Sequence, residues 1–236
     1  MSNDINTTDS RAGLWGSRDR IELIATIVLA VATILTAWSA FQAGKWGGQQ
    51  SVSFSEAGAA RTESTRSDTR AGQLAQIDVA MYIDWVVALV DEIDSGKIIL
   101  EDASMYEPTS GTISGFLYLR MRPEFLPAVD AWLAADPLGN PNAPPSPFAL
   151  DEYVLADALE ADRLTTLADD KSVEAREANQ NGDNYVLTMV LFAAVLFFAG
   201  VSSKMYRPRN RMLALSFGTF LLVAGIVIIA TYPILI

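Results

Sequence analysis

The chain has 236 residues, half of them hydrophobic, and its 17 Lys plus Arg against 28 Asp plus Glu give a net charge of −11. It contains neither cysteine nor histidine. That excludes disulfides, thiolate chemistry and cysteine metal sites, and removes the commonest general base and the commonest transition-metal ligand.

Three uncharged apolar runs, at residues 23–44, 185–203 and 212–236, organise the rest. About 20 helical residues, rising 1.5 Å each, cross a hydrocarbon layer of ~30 Å, so each run is long enough to span. The pattern predicts an all-α membrane protein with three transmembrane helices. The first two are expected to extend outward as an antiparallel helical stalk carrying a small, mostly helical head.

Residues 1–18 are polar with scattered glycine and read as a flexible cytoplasmic tail. Ser17 or Asp19 can cap the helix that follows. Residues 19–44 form the first expected span. Its apolar stretch is too long for a secretory signal, and Trp38, two residues before Ala40, spoils the small-residue cleavage frame, so an uncleaved anchor is expected.

Within this span the ladder Ala32, Thr36, Ala40, Gly44 and Gly48 places a small residue at every fourth position, a ridge against which another helix packs closely. Trp38, Lys45 and Trp46 read as anchors at the water boundary. Together with Phe41, Gln42 and Gln49 they form a collar that could also recognise a quinone, a lipid or a partner helix. Thr26, Thr33, Thr36 and Ser39 are the span's main polar groups. They either bond to neighbouring carbonyls or line a pore in an oligomer.

Residues 45–72 lack proline and are rich in small and charged side chains, as an outer stalk helix would be, and the Gly47–Gly48 pair need not end the helix. Residues 73–155 form the expected extracytoplasmic head. Val79, Ile83, Val86, Val90 and Ile93 repeat at steps of four and three, predicting an amphipathic helix that Gly96 ends. Residues 91–102 (DEIDSGKIILED) partly match a calcium loop through Asp91, Ser95 and Asp102, but Ile93 occupies a position that needs oxygen. TISGFLYLR fits a strand or a helix, and PEFLPAVDAWLAADP predicts a short helix with Pro123 near its start and Pro137 after its end. DPLGNPNAPPSP is an expected turn-rich loop. Gly111 and Gly115 are too sparse to cradle a phosphate.

Residues 156–183 read as the second stalk helix. Their seam is Ala161, Leu164, Ala168, Lys171, Ala175, Ala178, Gly182 and, opening the second span at 184–203, Tyr185. The loop at 204–211 carries Lys204, Arg207, Arg209 and Arg211 and no acid, a positive-inside signal that predicts a cytoplasmic loop. Residues 212–236 are the third expected span, with Ala214, Gly218 and Gly225 as small positions. This orientation puts the N-terminus inside and residues 45–183 and the C-terminus outside. The stretch 43–183 holds 24 acids against 10 bases, a net of −14, while the rest carries +3. Such a surface repels nucleic acid and anionic lipid, so neither is an expected partner for it.

Residues 37–43 (AWSAFQA), followed by Trp46, Gly48 and Gln49, resemble a segment of uncharacterised bacterial three-span membrane proteins. Residues 181–200 (NGDNYVLTMVLFAAVLFFAG) are similar to their second span. The resemblance implies the one-plus-two arrangement of spans and a bacterial cytoplasmic membrane, and it brings no catalytic residue.

No cofactor and no enzymatic activity are expected. Acid pairs such as Asp91–Glu92 are neighbours that diverge on a helix, and none of the spans carries a buried charge of the kind that marks ion-coupled transport. The expected function is a structural or accessory subunit that assembles with itself or with a larger membrane complex. The alternative is a homo-oligomeric pore lined by the first span.

Overall fold

The computed structural model describes the chain from residue 12 onward, with side chains from residue 20. The described residues are helical, with no strand among them. The long elements are α1 (Ala12–Asp94), α4 (Ala156–Lys204) and α5 (Pro208–Ile229), separated by the short α2 (Ile113–Tyr118) and α3 (Leu126–Ala134). Each long helix contains a window apolar enough to cross a membrane, with mean hydropathy of 2.1, 2.3 and 2.5 respectively. The chain is therefore a multi-pass membrane protein by length and composition of its helices.

α1 begins at Ala12, upstream of the Ser17 and Asp19 caps, because Ala, Leu and Arg favour helix and nothing between 12 and 19 forbids it. Residues 1–11 of the expected tail lie outside the described residues. The helix then runs through Gly44, Gly47 and Gly48 without a break. A glycine weakens a helix by roughly 1 kcal/mol but does not stop one that packing holds.

The chain divides into two compact units. The first holds residues up to 57 and from 170 on. There α1 and α4 run antiparallel: Ser39 meets Thr188, Trp46 lies against Gly182 and Glu56 pairs with Lys171. A core of Val28, Ala32, Phe192, Val195, Ala199 and Leu222 joins α1, α4 and α5. Small residues let α5 approach. A Cβ at Gly225 would stand 2.6 Å from the Phe192 ring, and one at Gly218 3.4 Å from Phe198. Of the third run's small positions, Gly218 and Gly225 are buried and Ala214 is half-buried.

α5 stops at Ile229, short of the expected end at Ile236. Pro233 has no N–H to donate and its ring would meet the carbonyl of residue 229. The residues that follow turn instead, and they are held from outside. The fully buried Gln42 carboxamide accepts the Leu235 N–H at 3.0 Å and donates to its carbonyl at 3.2 Å. The Tyr185 hydroxyl donates to the Pro233 carbonyl at 3.1 Å.

The second unit spans residues 58–169. Here too α1 and α4 are antiparallel, with Arg61 against Asp169, Arg70 against Asp157, and the Ser64 hydroxyl on the Ala161 carbonyl at 2.9 Å. The remaining residues fold over the end of α1 around Trp85, Leu89, Phe125, Val129 and Trp132. Aromatic edges meet faces throughout this core: Tyr82 stands edge-on to both Trp132 and Phe148, with centroids 5.5 Å apart in each pair.

Gly96 terminates α1 at a φ of +72°, a left-handed conformation that favours glycine, as the sequence predicts. TISGFLYLR forms α2, capped by the Thr112 hydroxyl, which accepts the Gly115 N–H at 3.1 Å. Gly115 is required by close approach: a Cβ there would lie 1.9 Å from the Thr109 carbonyl oxygen. α3 starts at Leu126 with Pro127 in its first turn, one turn later than Pro123 suggests. The 137–146 segment is the expected chain of turns.

Candidate functional site

The geometry of α1 decides which of its residues are free to meet something else. Its inward positions in the first unit are Ala25, Val28, Ala32, Ser39, Gln42, Ser53 and Ala57, at steps of three and four once the half-buried Leu35, Trp46 and Gln50 fill the gaps. The four-residue ladder advances 40° further at every step and leaves that seam. Ala32 is therefore buried in the three-helix core and Thr36 is half-buried, its hydroxyl donating to the Ala32 carbonyl at 2.7 Å. Ala40, Gly44 and Gly48 are exposed, and a Cβ on either glycine would meet nothing within 4 Å. The upper ridge is open.

The collar splits in the same way. Trp38 and Phe41 face outward with rings 5.9 Å apart, and Lys45 and Gln49 are exposed. Gln42 is consumed by the Leu235 backbone, while Trp46 is half-buried against Gly182. The three threonine hydroxyls of the span are satisfied locally, Thr26 donating to Glu22 and Thr33 to Leu29, each four residues back, whereas the Ser39 hydroxyl accepts from Thr188 of α4. Lys204, Arg207 and Arg209 are exposed and Arg211 is half-buried; the last two sit in the first turn of α5.

The partial calcium motif is not assembled. Asp91 is exposed on α1, Ser95 donates its hydroxyl to the Glu92 carbonyl, and Asp102 accepts the Ser104 N–H at 2.7 Å as the cap of a short turn. Among the described residues no cluster of three or more carboxylates is set to hold a metal ion.

The carboxylates that matter to the second unit are two that the sequence does not single out. Glu92 is buried and accepts the N–H groups of Ile113 and Ser114, the first two of α2, at 2.6 and 3.1 Å. A charge there complements the positive end of the short helix. Burial alone would push its carboxyl up, but hydrogen bonds from Ser114 and from both backbone N–H groups, aided by Lys97, hold it below its ordinary value. Asp78, equally buried, receives Arg122 in a fork at 2.9 and 2.8 Å and the Tyr153 hydroxyl at 3.2 Å. Burial first and the Asp78 charge second push the Tyr153 hydroxyl up to about 12. These groups are fully engaged in holding the fold. The one sequence signal for Asp78 is its spacing, seven residues after buried Ala71 and seven before buried Trp85, which puts it on the core face.

The apolar stripe of the expected amphipathic helix is divided. Val86 and Ile93 pack at the core's edge. Val79, Ile83 and Val90 face out, and Ile83, Val87 and Val90 are 52%, 62% and 41% exposed. The aromatic face of Tyr82 and Trp85 takes the inside because it buries more apolar area per residue. Val90 continues into a cleft of about 330 Å³, whose apolar wall is Ile93, Leu100 and Leu138 and whose rim carries Asp94, Glu101 and Asp102. Asp84 and Asp91 also project from α1 and are exposed. The second unit thus presents an apolar, acid-bordered surface to water.

No family model, no curated protein and no solved structure matches the chain.

Proposed function

We propose that this chain is a non-enzymatic accessory or structural subunit of a bacterial cytoplasmic membrane, which assembles with itself or with a larger membrane complex through its spans and its acidic outer helices. In this reading the N-terminus and the basic residues 204–211 face the cytoplasm. Residues 45–183 stand outside as a stalk and head, and Trp38, Lys45 and Trp46 mark the outer boundary.

The observation that carries it is the exposed row Ile83, Val87 and Val90 on α1, well beyond the charged stretch that begins at Arg61. Apolar side chains left in water cost free energy in proportion to their area, and a contiguous patch of them favours a protein partner. The open ridge of Ala40, Gly44 and Gly48 supports a second contact, within or near the bilayer.

The test is purification in a mild detergent, identification of whatever co-purifies, and the mass of the particle. A stoichiometric partner or a solid homo-oligomer supports the reading. A ring of copies around α1 with a water-filled path would establish the competing pore, and a lone monomer would overturn both. Ala40 and Gly44 are both exposed, so a drop in particle mass on Ala40→Leu with Gly44→Leu would locate an interface at the ridge.

A further inference from the structure

The cleft at the C-terminal end of α1 is held open by the fold around it. Ile93 and Leu100, which pack on the aromatic core of the second unit, form its deeper lining, and Val90 and Leu138 are its exposed apolar edge. The Asp136 carboxylate accepts the N–H groups of Ala103 at 3.0 Å and Gly139 at 3.3 Å, which ties together the two loops that close it. Its volume of about 330 Å³ is less than one turn of an α-helix fills with its side chains, so it takes an anchoring side chain and not a whole helix.

Charge is part of this lining. Asp94, Glu101 and Asp102 all border the cleft. Asp102 is occupied by the Ser104 N–H, whereas Asp94 and Glu101 are exposed and make no ion pair among the described residues. Lys97 is the only base between residues 71 and 119, and residues 58–169 hold 19 acids against 7 bases.

The exposed row on α1 leads into the same place. Ile83, Val87 and Val90 follow one another at steps of four and three, and the next step of four is Asp94. Asp84 and Asp91, both exposed and seven residues apart, run along one flank of the row.

From these observations we infer that the row and the cleft together receive a basic amphipathic helix of a partner protein. Its apolar face lies on Ile83, Val87 and Val90, one aliphatic side chain enters the cleft, and Lys or Arg beside that side chain pairs with Asp94 and Glu101. The inference deepens the subunit reading given above and rests on it. Charge chooses the occupant. A second copy laid on the same face would set Asp84, Asp91 and Asp94 against their own equivalents, and an anionic lipid surface would be repelled. Apolar contact holds the helix, and the acids select it from other amphipathic helices.

The experiment is a binding titration of the full chain in phosphatidylcholine nanodiscs, with empty nanodiscs subtracted. The probes are a labelled Leu/Lys peptide with its leucines on one helical face, the same peptide with Glu for Lys, and a Leu/Lys peptide of equal composition whose leucines are spread around the helix. The first should bind once per chain and the other two far more weakly. Asp94→Asn with Glu101→Gln should weaken it about fivefold, as the loss of two partly exposed ion pairs would. Glu107→Gln with Glu152→Gln, which changes the net charge equally at exposed acids outside the cleft, should leave it unchanged. Asp94→Lys with Glu101→Lys should reverse the order of the Lys and Glu peptides, and tryptophan fluorescence checks that each variant is folded. Equal binding of the three peptides, or an equal loss on neutralising Glu107 and Glu152, would overturn the inference. A chain that co-purifies with a stoichiometric partner but does not distinguish the peptides overturns the basic-helix assignment and leaves the subunit reading in place. A lone monomer in mild detergent that still selects the Lys peptide overturns the subunit reading and leaves the selectivity of the cleft.

Discussion

The Gln42 carboxamide pairs with both backbone groups of Leu235, its oxygen accepting the N–H and its amide donating to the carbonyl, across 193 positions of sequence. Pro233 breaks α5, and the residues after it have no helical ladder of their own, so a side chain from α1 supplies the missing partners. Gln42→Leu keeps the bulk and removes both bonds, at a cost of about 1–3 kcal/mol to the closed segment. Hydrogen exchange of the peptide covering residues 230–236 should accelerate by roughly tenfold to a hundredfold, with the helical content unchanged. An unaltered exchange rate would show that the clasp does not hold this segment.

Glu92 provides a pH dependence whose sign follows from its environment. Hydrogen bonds in the folded unit outweigh burial and depress its carboxyl, so the proton binds more weakly folded than unfolded. Its contribution is complete above the ordinary glutamate value of 4.5 and is lost as the pH falls through the folded value. Trp85 and Trp132 lie in the core of the same unit, and their fluorescence should report a second unit that loosens on acidification below that value. Glu92→Gln turns an acceptor pair into one acceptor and one donor facing α2, and should lower stability at neutral pH by about 2 kcal/mol while flattening the acid limb. An identical acid limb in the variant would assign the transition to another group.

How much of this was readable beforehand depended on whether the inward positions were apolar. On α4 they are: Ala161, Leu164, Ala168, Ala175, Ala178 and Tyr185 are all buried, and the alternation of threes and fours exposes the seam in the sequence. On α1 the inward face mixes Ser39, Gln42, Ser53, Ser67, Asp78 and Glu92 with alanine, so hydrophobicity does not mark it. The conspicuous ladder of small residues, by contrast, drifts around the helix. In the second unit apolar residues lie on two faces of α1, and periodicity alone cannot say which one meets the core. The stop before Pro233 was missed, because the apolar run to Ile236 was read by hydropathy alone although a proline cannot donate to the helical ladder. The roles of Asp78 and Glu92 were not legible, because an acid in an acidic segment is distinguished only by partners that are 44 and 21 residues away.

Asp78 and Arg122 form the most buried ion pair in the second unit, with side chains 1% and 21% exposed. Removing one partner should cost more than removing both. Arg122→Met leaves a buried carboxylate without its counter-charge, a loss of about 3–5 kcal/mol, whereas adding Asp78→Leu removes the stranded charge. The double variant is therefore expected to melt above Arg122→Met, and a thermal scan of tryptophan fluorescence compares them directly. Tyr153→Phe removes a single hydroxyl from Asp78 and should cost about 1 kcal/mol. Strictly additive losses in the double variant would mean that the two side chains do not interact.

Two glycines on neighbouring helices should respond oppositely to the same methyl group. At Gly225 a Cβ would meet Phe192 at 2.6 Å and Leu191 at 2.9 Å, and Phe192 is wholly buried and cannot swing away without opening the three-helix core. Gly225→Ala is thus expected to destabilise the first unit by about 1–3 kcal/mol, the usual penalty of overpacking. At Gly44 the same Cβ meets nothing within 4 Å, and alanine favours helix over glycine, so Gly44→Ala should leave the unit unchanged or stabilise it by up to roughly 1 kcal/mol. Melting temperatures in one detergent rank the two against the unsubstituted chain. A loss at Gly44 equal to that at Gly225 would reveal a contact on the open ridge that a single chain does not contain, and would point to a second helix lying against it.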